Sequence, residues 1–199
     1  LTRFMVRDVL SRYVATAPVD WQFRSGKHGK PEIAPPLAGP QFNISHTRDS
    51  IAMVVCQKPC GIDIEAADRA ARFREVAERF FSPAEAQGLR VLDDAAGRRR
   101  FIETWTLKEA FVKALGRGLS FELLKSFAFR FEPSAALSFA PGANVGSEWR
   151  FWTMEVGDGC IVACAVPDAG PRELAVWSYR FGAAPTPTRV AARTFSGPT

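Results

Sequence analysis

Several absences narrow what this 199-residue chain can be. It has no run of about eighteen apolar residues, which excludes a helix long enough to span a bilayer. Its first residues lack the basic-then-apolar layout of a secretory leader, so a cytoplasmic protein is expected. The chain opens on Leu1 rather than methionine, and an N-terminal piece is expected to precede it. Cysteine is sparse. The four present are spaced Cys56-x3-Cys60 and Cys160-x3-Cys164, in or beside apolar strand-like runs rather than in knuckle loops. That placement argues against a four-thiolate zinc site and for reduced, mostly buried thiols. Neither a Walker-type Gly-x4-Gly-Lys-Ser/Thr nor a dinucleotide fingerprint occurs. Any phosphate must then be met by side-chain cations rather than by a glycine cradle.

What is present suits a packed globular protein. Hydrophobic residues make up 47% of the chain and charged residues 24%, enough for one domain or two small halves. The formal charge of +5 favours a polyanionic ligand or an acidic protein partner. Arg98-Arg99-Arg100 could suggest nucleic acid, but the run reads better as a solvated helix start. No aromatic and basic sheet or recognition helix accompanies it.

Apolar spacing predicts a first helix over 3–15 through Phe4, Val6, Val9, Leu10 and Tyr13. A short strand is expected at Trp21 to Arg24, a turn at Gly26 to Pro31, and a buried strand at Ile51 to Cys56. A helix over 72–81 carries Phe73, Val76, Ala77 and Phe80 on one face. Ser82-Pro83-Ala84-Glu85 then spells a capping box that opens the next helix. A further helix is expected from about Arg99 to Gly116. Its apolar stripe is Phe101 or Ile102, Trp105, Val112 and Leu115, which leaves Lys108, Glu109 and Lys113 on or beside the opposite rim. Strands follow at Ser126 to Phe131, Arg150 to Val156, Cys160 to Val166 and Ala175 to Tyr179. Residues 183–199, rich in proline, read as an untied tail. Ile51 to Cys56 echoes Ile161 to Val166, weak internal evidence of duplication.

Two segments carry chemistry. Gly61-Ile62-Asp63-Ile64-Glu65 reads as a strand, on which Asp63 and Glu65 share a face while Ile62 and Ile64 take the other. Like charges so placed repel by about 1 kcal/mol near a surface, and a bound cation relieves the repulsion. In Trp105-Thr106-Leu107-Lys108-Glu109-Ala110-Phe111-Val112-Lys113, Glu109 and Lys113 stand one helical turn apart. Taken alone, that pair is an ordinary surface ion pair worth about 0.3–0.5 kcal/mol. Together the segments supply three carboxylates and two ammoniums, a set able to hold a hard divalent cation and a phosphate.

Both segments, at this separation, resemble the signatures of the Sfp-type 4′-phosphopantetheinyl transferases. The similarity runs over about 3–182. The resemblance implies an α+β fold of two pseudo-symmetric halves with the active site in the groove between them. A boundary near 57–60 would leave 1–58 as the first half and 59–182 as the second. It implies Mg²⁺-dependent transfer of 4′-phosphopantetheine from coenzyme A to a serine of an apo acyl or peptidyl carrier protein, releasing adenosine 3′,5′-bisphosphate. By that resemblance Asp63, Glu65 and Glu109 hold the metal. Glu109 is the candidate base, Lys113 stabilises the leaving phosphate, and Lys108 and Lys113 contact coenzyme A. Phe42-Asn43-Ile44-Ser45-His46 resembles a further motif whose Ser45 and His46 meet the nucleotide. Gly29-Lys30-Pro31 resembles the turn whose Lys30 and Pro31 approach adenine and phosphate, and Arg3 matches an arginine facing the 3′-phosphate. The carrier is expected to dock on Arg69, Arg72 and Phe73, with Arg74 and Arg79 nearby, and the protein is expected to be monomeric. A metal-dependent nuclease also uses Asp, Glu and Lys around Mg²⁺, but typically with a short Glu-x-Lys on a strand rather than a helical i,i+4 pair.

Overall fold

The computed structural model describes residues 1–67, 72–131, 136–140, 148–157, 159–167, 174–178, 185–187 and 192–196. The chain begins with α1 (Thr2–Leu10) and two short strands, β1 (Phe23–Ser25) and β2 (Pro31–Ile33), paired antiparallel. Next come β3 (Gln41–His46) and β4 (Ile51–Cys56), also antiparallel, and β5 (Gly61–Ala66). Three helices follow, α2 (Phe73–Phe80), α3 (Pro83–Arg90) and the 22-residue α4 (Asp94–Leu115), then α5 (Phe121–Lys125). The strands β6 (Phe127–Arg130), β7 (Ala136–Phe139), β8 (Trp149–Val156), β9 (Cys160–Pro167), β10 (Trp177–Ser178), β11 (Thr186–Pro187) and β12 (Ala192–Ser196) complete the described chain. The fold is thus mixed α and β.

The central sheet has the order β5-β9-β8-β12-β7-β6. α4 lies across it, burying Leu107, Phe111 and Val112 against Phe127, Phe129, Trp149, Phe151 and Phe195. Phe111 meets Phe127, Trp149 and Phe151 edge-on, the arrangement ring quadrupoles favour. Behind the sheet, Ile62 and Ile64 pack with Trp152, Met154 and Val162, covered by Ala52 and Val54 of β4. α1 closes a smaller core of Val6, Leu10, Trp21 and Phe42. β3 and β5 are stitched side chain to backbone, since Asn43 Oδ1 accepts the Ile62 N–H at 2.9 Å.

Local signals explain the helix ends. Ser82 and Glu85 form the expected capping box, with the Ser82 N–H donating to Glu85 Oε2 at 2.9 Å. α4 starts five residues earlier than its apolar spacing indicated, because Asp93 caps it by accepting the Ala96 N–H at 2.8 Å. It stops at Gly116, whose φ of 62° is the left-handed C-cap that glycine adopts without strain.

Three expectations need correction. Part of the supposed tail is a sheet strand. β12 pairs antiparallel with β8 and touches β7, and Phe195 is fully buried against Phe129 and Phe131. Its alternation is broken by exposed Arg193 and Thr194, so no apolar run announced it. Of the strand expected over 175–179, Trp177–Ser178 pairs with β11 outside the central sheet, and Tyr179 lies outside the described residues. The α4 stripe is also broader than one face. Lys108, Ala110, Phe111 and Ala114 are all buried, because α4 is covered by the sheet on one side and by α2 and α3 on another. The four cysteines are free thiols, and burial pushes Cys164 up to about 12.

Candidate active site

The site forms where β5 runs against the last turns of α4. Gly61, Asp63 and Glu65 share the face of β5 turned towards the helix. Gly61 permits the approach: a Cβ there would lie 1.9 Å from the Ala110 carbonyl oxygen and 2.5 Å from the Ala114 nitrogen. Only a residue without a side chain lets strand and helix backbones touch. The small residues Ala110 and Ala114 take the other half of the contact. This brings Asp63 to the face of α4 that carries Glu109 and Lys113.

Asp63 is buried, 2% exposed. Its Oδ1 accepts from Ser45 Oγ at 2.7 Å and from Lys113 Nζ at 2.6 Å. Lys113 also donates to Ser45 Oγ at 3.0 Å and lies 3.7 Å from Glu109. Ser45 reaches Asp63 because it shares a β3 face with Asn43, the residue that pins β3 to β5. Asp63 Oδ2 is buried and has no hydrogen-bond partner among the described residues. Burial, then the charges of Asp63 and Glu65, push the Glu109 carboxyl up to about 7, against the opposing pull of Lys113. Glu65 is half-buried and close enough for its charge to be felt at Glu109. Among the described residues, no three His, Cys, Asp or Glu side chains are gathered into a finished ligand cluster. Lys113 bridges Asp63 and Glu109.

A cleft of about 420 Å³ is lined by Arg3, Phe23, Arg24, Gly29, Pro31 and Phe42, among others, and Phe42 lies on the β3 face opposite Asn43 and Ser45. Arg3 and Pro31 thus share one cleft. His46 ends β3 and is exposed. Arg7, which the motifs did not single out, also lines the cleft, but it donates to the Pro18 and Trp21 carbonyls and anchors the following loop.

Lys108 is placed otherwise than expected. It is fully buried, pointing away from Glu109 and Lys113. It donates to the carbonyls of Leu124 and Phe127, both at 2.7 Å, and pairs with Glu85 at 2.9 Å. Adjacent helical residues diverge by about 100°, so Lys108 and Glu109 cannot share a face. Burial lowers the Lys108 pKa against the pull of Glu85. Glu85 does more than cap α3. Its Oε1 also accepts the Phe129 N–H at 2.8 Å, so the carboxylate joins α3, α4 and β6. Lys30 too is turned from solvent, donating to two main-chain carbonyls. Of the expected docking residues, Arg69 lies outside the described residues and Arg72 is exposed. Phe73 is a core residue, 3% exposed and packed on Phe101, so it offers no docking surface. Arg74 is paired with Asp94, and Arg79 lies over the rings of Phe80 and Phe121.

Comparison with known proteins gives this geometry its context. Residues 59–165, which include both the β5 and the α4 motifs, match the sequence model of the 4′-phosphopantetheinyl transferase superfamily. The 4′-phosphopantetheinyl transferase Sfp of Bacillus subtilis (strain 168) is 32% identical over 176 residues, covering 88% of this chain and 76% of its own. The 4′-phosphopantetheinyl transferase HetI of Nostoc sp. is 31% identical over 173 residues, covering 84% of this chain and 70% of its own. Among solved structures, holo-[acyl-carrier-protein] synthase of Thermotoga maritima is 20% identical with a TM-score of 0.44, over 67% of this chain and 84% of its own. Among the described residues, no helix is long and apolar enough to cross a membrane. The motif match over more than half the chain, and the identity to Sfp over most of it, show that this protein belongs to the 4′-phosphopantetheinyl transferase family of enzymes.

Proposed function

We propose that this enzyme moves 4′-phosphopantetheine from coenzyme A to a serine hydroxyl of an apo carrier protein, releases adenosine 3′,5′-bisphosphate, and uses Mg²⁺ held by Asp63 and Glu109, with Glu65 at the rim. The observation that carries this reading is the unpartnered, buried Oδ2 of Asp63 beside a Glu109 carboxyl pushed up to about 7. A buried carboxylate oxygen without a donor is costly, and a neighbouring acid that resists ionising marks a place short of positive charge. An all-oxygen donor set suits a hard cation such as Mg²⁺. When bound, the ion supplies a Lewis acid that screens the charge of the pyrophosphate.

The remaining chemistry belongs to the chain. Lys113 holds its ammonium between Asp63 and Glu109, poised to meet charge that grows on a leaving phosphate. The carrier serine attacks the pantetheine-side phosphorus in line, and Glu109 accepts the proton that the hydroxyl loses. A carboxyl near 7 suits that task at neutral pH. The cleft beside Arg3 and Pro31 takes the nucleotide end of coenzyme A, so that binding there fixes the phosphorus at the acids. Incubation with fluorescent coenzyme A, Mg²⁺ and an apo carrier protein tests the reading. Covalent label on the carrier is expected, and it should disappear with EDTA or with Asp63→Ala. No label with any apo carrier, or undiminished label without divalent ions, would refute it.

A further inference from the structure

We propose that Lys30 is a positioning residue, which clamps the turn walling the nucleotide cleft to the strand–helix junction that carries Asp63 and Glu109, and that it does not contact the nucleotide. This rests on the cleft being the nucleotide site. Lys30 Nζ donates to the Cys60 carbonyl at 2.8 Å and to the Lys113 carbonyl at 3.0 Å. Cys60 is the residue before β5, and Lys113 is in the last turn of α4. Next to those two carbonyls Gly61 packs against the backbone of Ala110 and Ala114. One ammonium thus spans the joint that sets the distance between Asp63 and the helix.

The physical fit is good on three counts. The Lys113 carbonyl accepts a long bond from the Gly116 N–H at 3.3 Å and sits at the negative end of the α4 dipole, so a cation there is stabilised. The Cys60 carbonyl belongs to a buried residue and would otherwise face a half-buried joint. The turn itself is held at its base: the Gly26 N–H donates to the Lys30 carbonyl at 2.7 Å, and Arg24 pairs with Glu32 at 2.9 Å. A second contact reinforces the clamp, because the His28 ring lies against Gly118, just past the end of α4. Gly29 and Pro31, the cleft-lining neighbours of Lys30, are therefore tied to the acid centre through the residue between them. Burial lowers the Lys30 pKa, as expected of an ammonium taken from water.

A clamp and a phosphate ligand lose different things on mutation. Lys30→Met keeps the length of the side chain and removes every donor, whereas Lys30→Arg keeps charge and donors. The clamp expects Lys30→Met to lose about ten- to a hundredfold in turnover, by the same factor with coenzyme A and with dephospho-coenzyme A. The Michaelis constants for the two substrates should keep their wild-type ratio, and Lys30→Arg should recover most of the turnover. A Lys30→Met enzyme with wild-type turnover overturns the proposal, as does a Michaelis constant raised for coenzyme A and unchanged for dephospho-coenzyme A. Should Lys30→Met fail to fold, the wild-type protein decides. With ¹³Cε-labelled lysine, the Lys30 resonance should keep its position on saturation with adenosine 3′,5′-bisphosphate while other lysines shift, and a Lys30 shift as large as theirs overturns the clamp. Wild-type enzyme that labels no carrier refutes the transfer reading instead, and the resonance experiment still judges Lys30.

Discussion

Glu109 offers the sharpest test, because its environment makes folding itself pH-dependent. Its carboxyl is pushed from an ordinary 4.5 up to about 7, first by burial and then by Asp63 and Glu65. The side chain is 16% exposed, so solvent screens little of this. A raised carboxyl pKa means the folded state holds a proton that the unfolded chain has released between about pH 4.5 and 7. Stability therefore falls as pH rises through that window and stays reduced above it. Each tenfold change in proton affinity is worth about 1.4 kcal/mol, so ionised Glu109 costs the metal-free protein about 3 kcal/mol at pH 8. Glu109→Gln removes the titrating group and keeps the shape. In EDTA, the variant should match wild type near pH 5 and exceed it above pH 7, by roughly 6–12 °C in Tm for a chain of this size. Mg²⁺ at pH 8 should raise the wild-type Tm and leave that of the variant nearly unchanged. Turnover of the variant should fall by about 10²-fold or more, since the proposed base and metal ligand is lost. Thermal scans from pH 4.5 to 8.5, with and without Mg²⁺, provide the measurement. Wild-type and variant curves that run parallel across that range would refute the account of Glu109.

Three further outcomes follow from the geometry. Gly61→Ala forces a Cβ into the Ala110 carbonyl, and backbone cannot turn aside as a side chain can, so a stability loss of about 3 kcal/mol or more is expected in denaturant titration, together with lost label transfer. Lys108→Met strands the Glu85 carboxylate inside the protein and should cost about 3–5 kcal/mol by urea unfolding, yet leave the Michaelis constant for coenzyme A within twofold in the folded fraction; a selective rise in that constant would return Lys108 to the ligand. Arg3→Ala and His46→Ala should raise the Michaelis constant for coenzyme A and change it little for dephospho-coenzyme A, and equal penalties on both would place these residues away from the 3′-phosphate.

Which parts could be read from the chain follows from the range over which each signal acts. The α3 capping box and the Gly116 stop are local chemistry within four residues, and both stand where the spelling put them. α4 starts ahead of its apolar pattern because the Asp93 cap outweighs it. α5 is five residues long, too short for periodicity to register. β12 earns its place through pairing with β8, residues distant in the chain, and through one phenylalanine, Phe195.

The sequence alone settled which residue types are available for chemistry and how they are spaced. Two acids two apart on an apolar strand must share a face, and Glu109 and Lys113 four apart on a helix must do likewise. Those periodicities are properties of the backbone and hold wherever the segments go. The tertiary structure decided where each charge is spent. It joined Asp63 to Lys113 through the Gly61 approach, sank Lys108 beside Glu85, and turned Lys30 onto two carbonyls. An ammonium on a flexible stem serves a phosphate, a carboxylate or a main-chain oxygen equally well. Which of these it meets depends on segments far away in the chain, and only the folded packing brings them within reach.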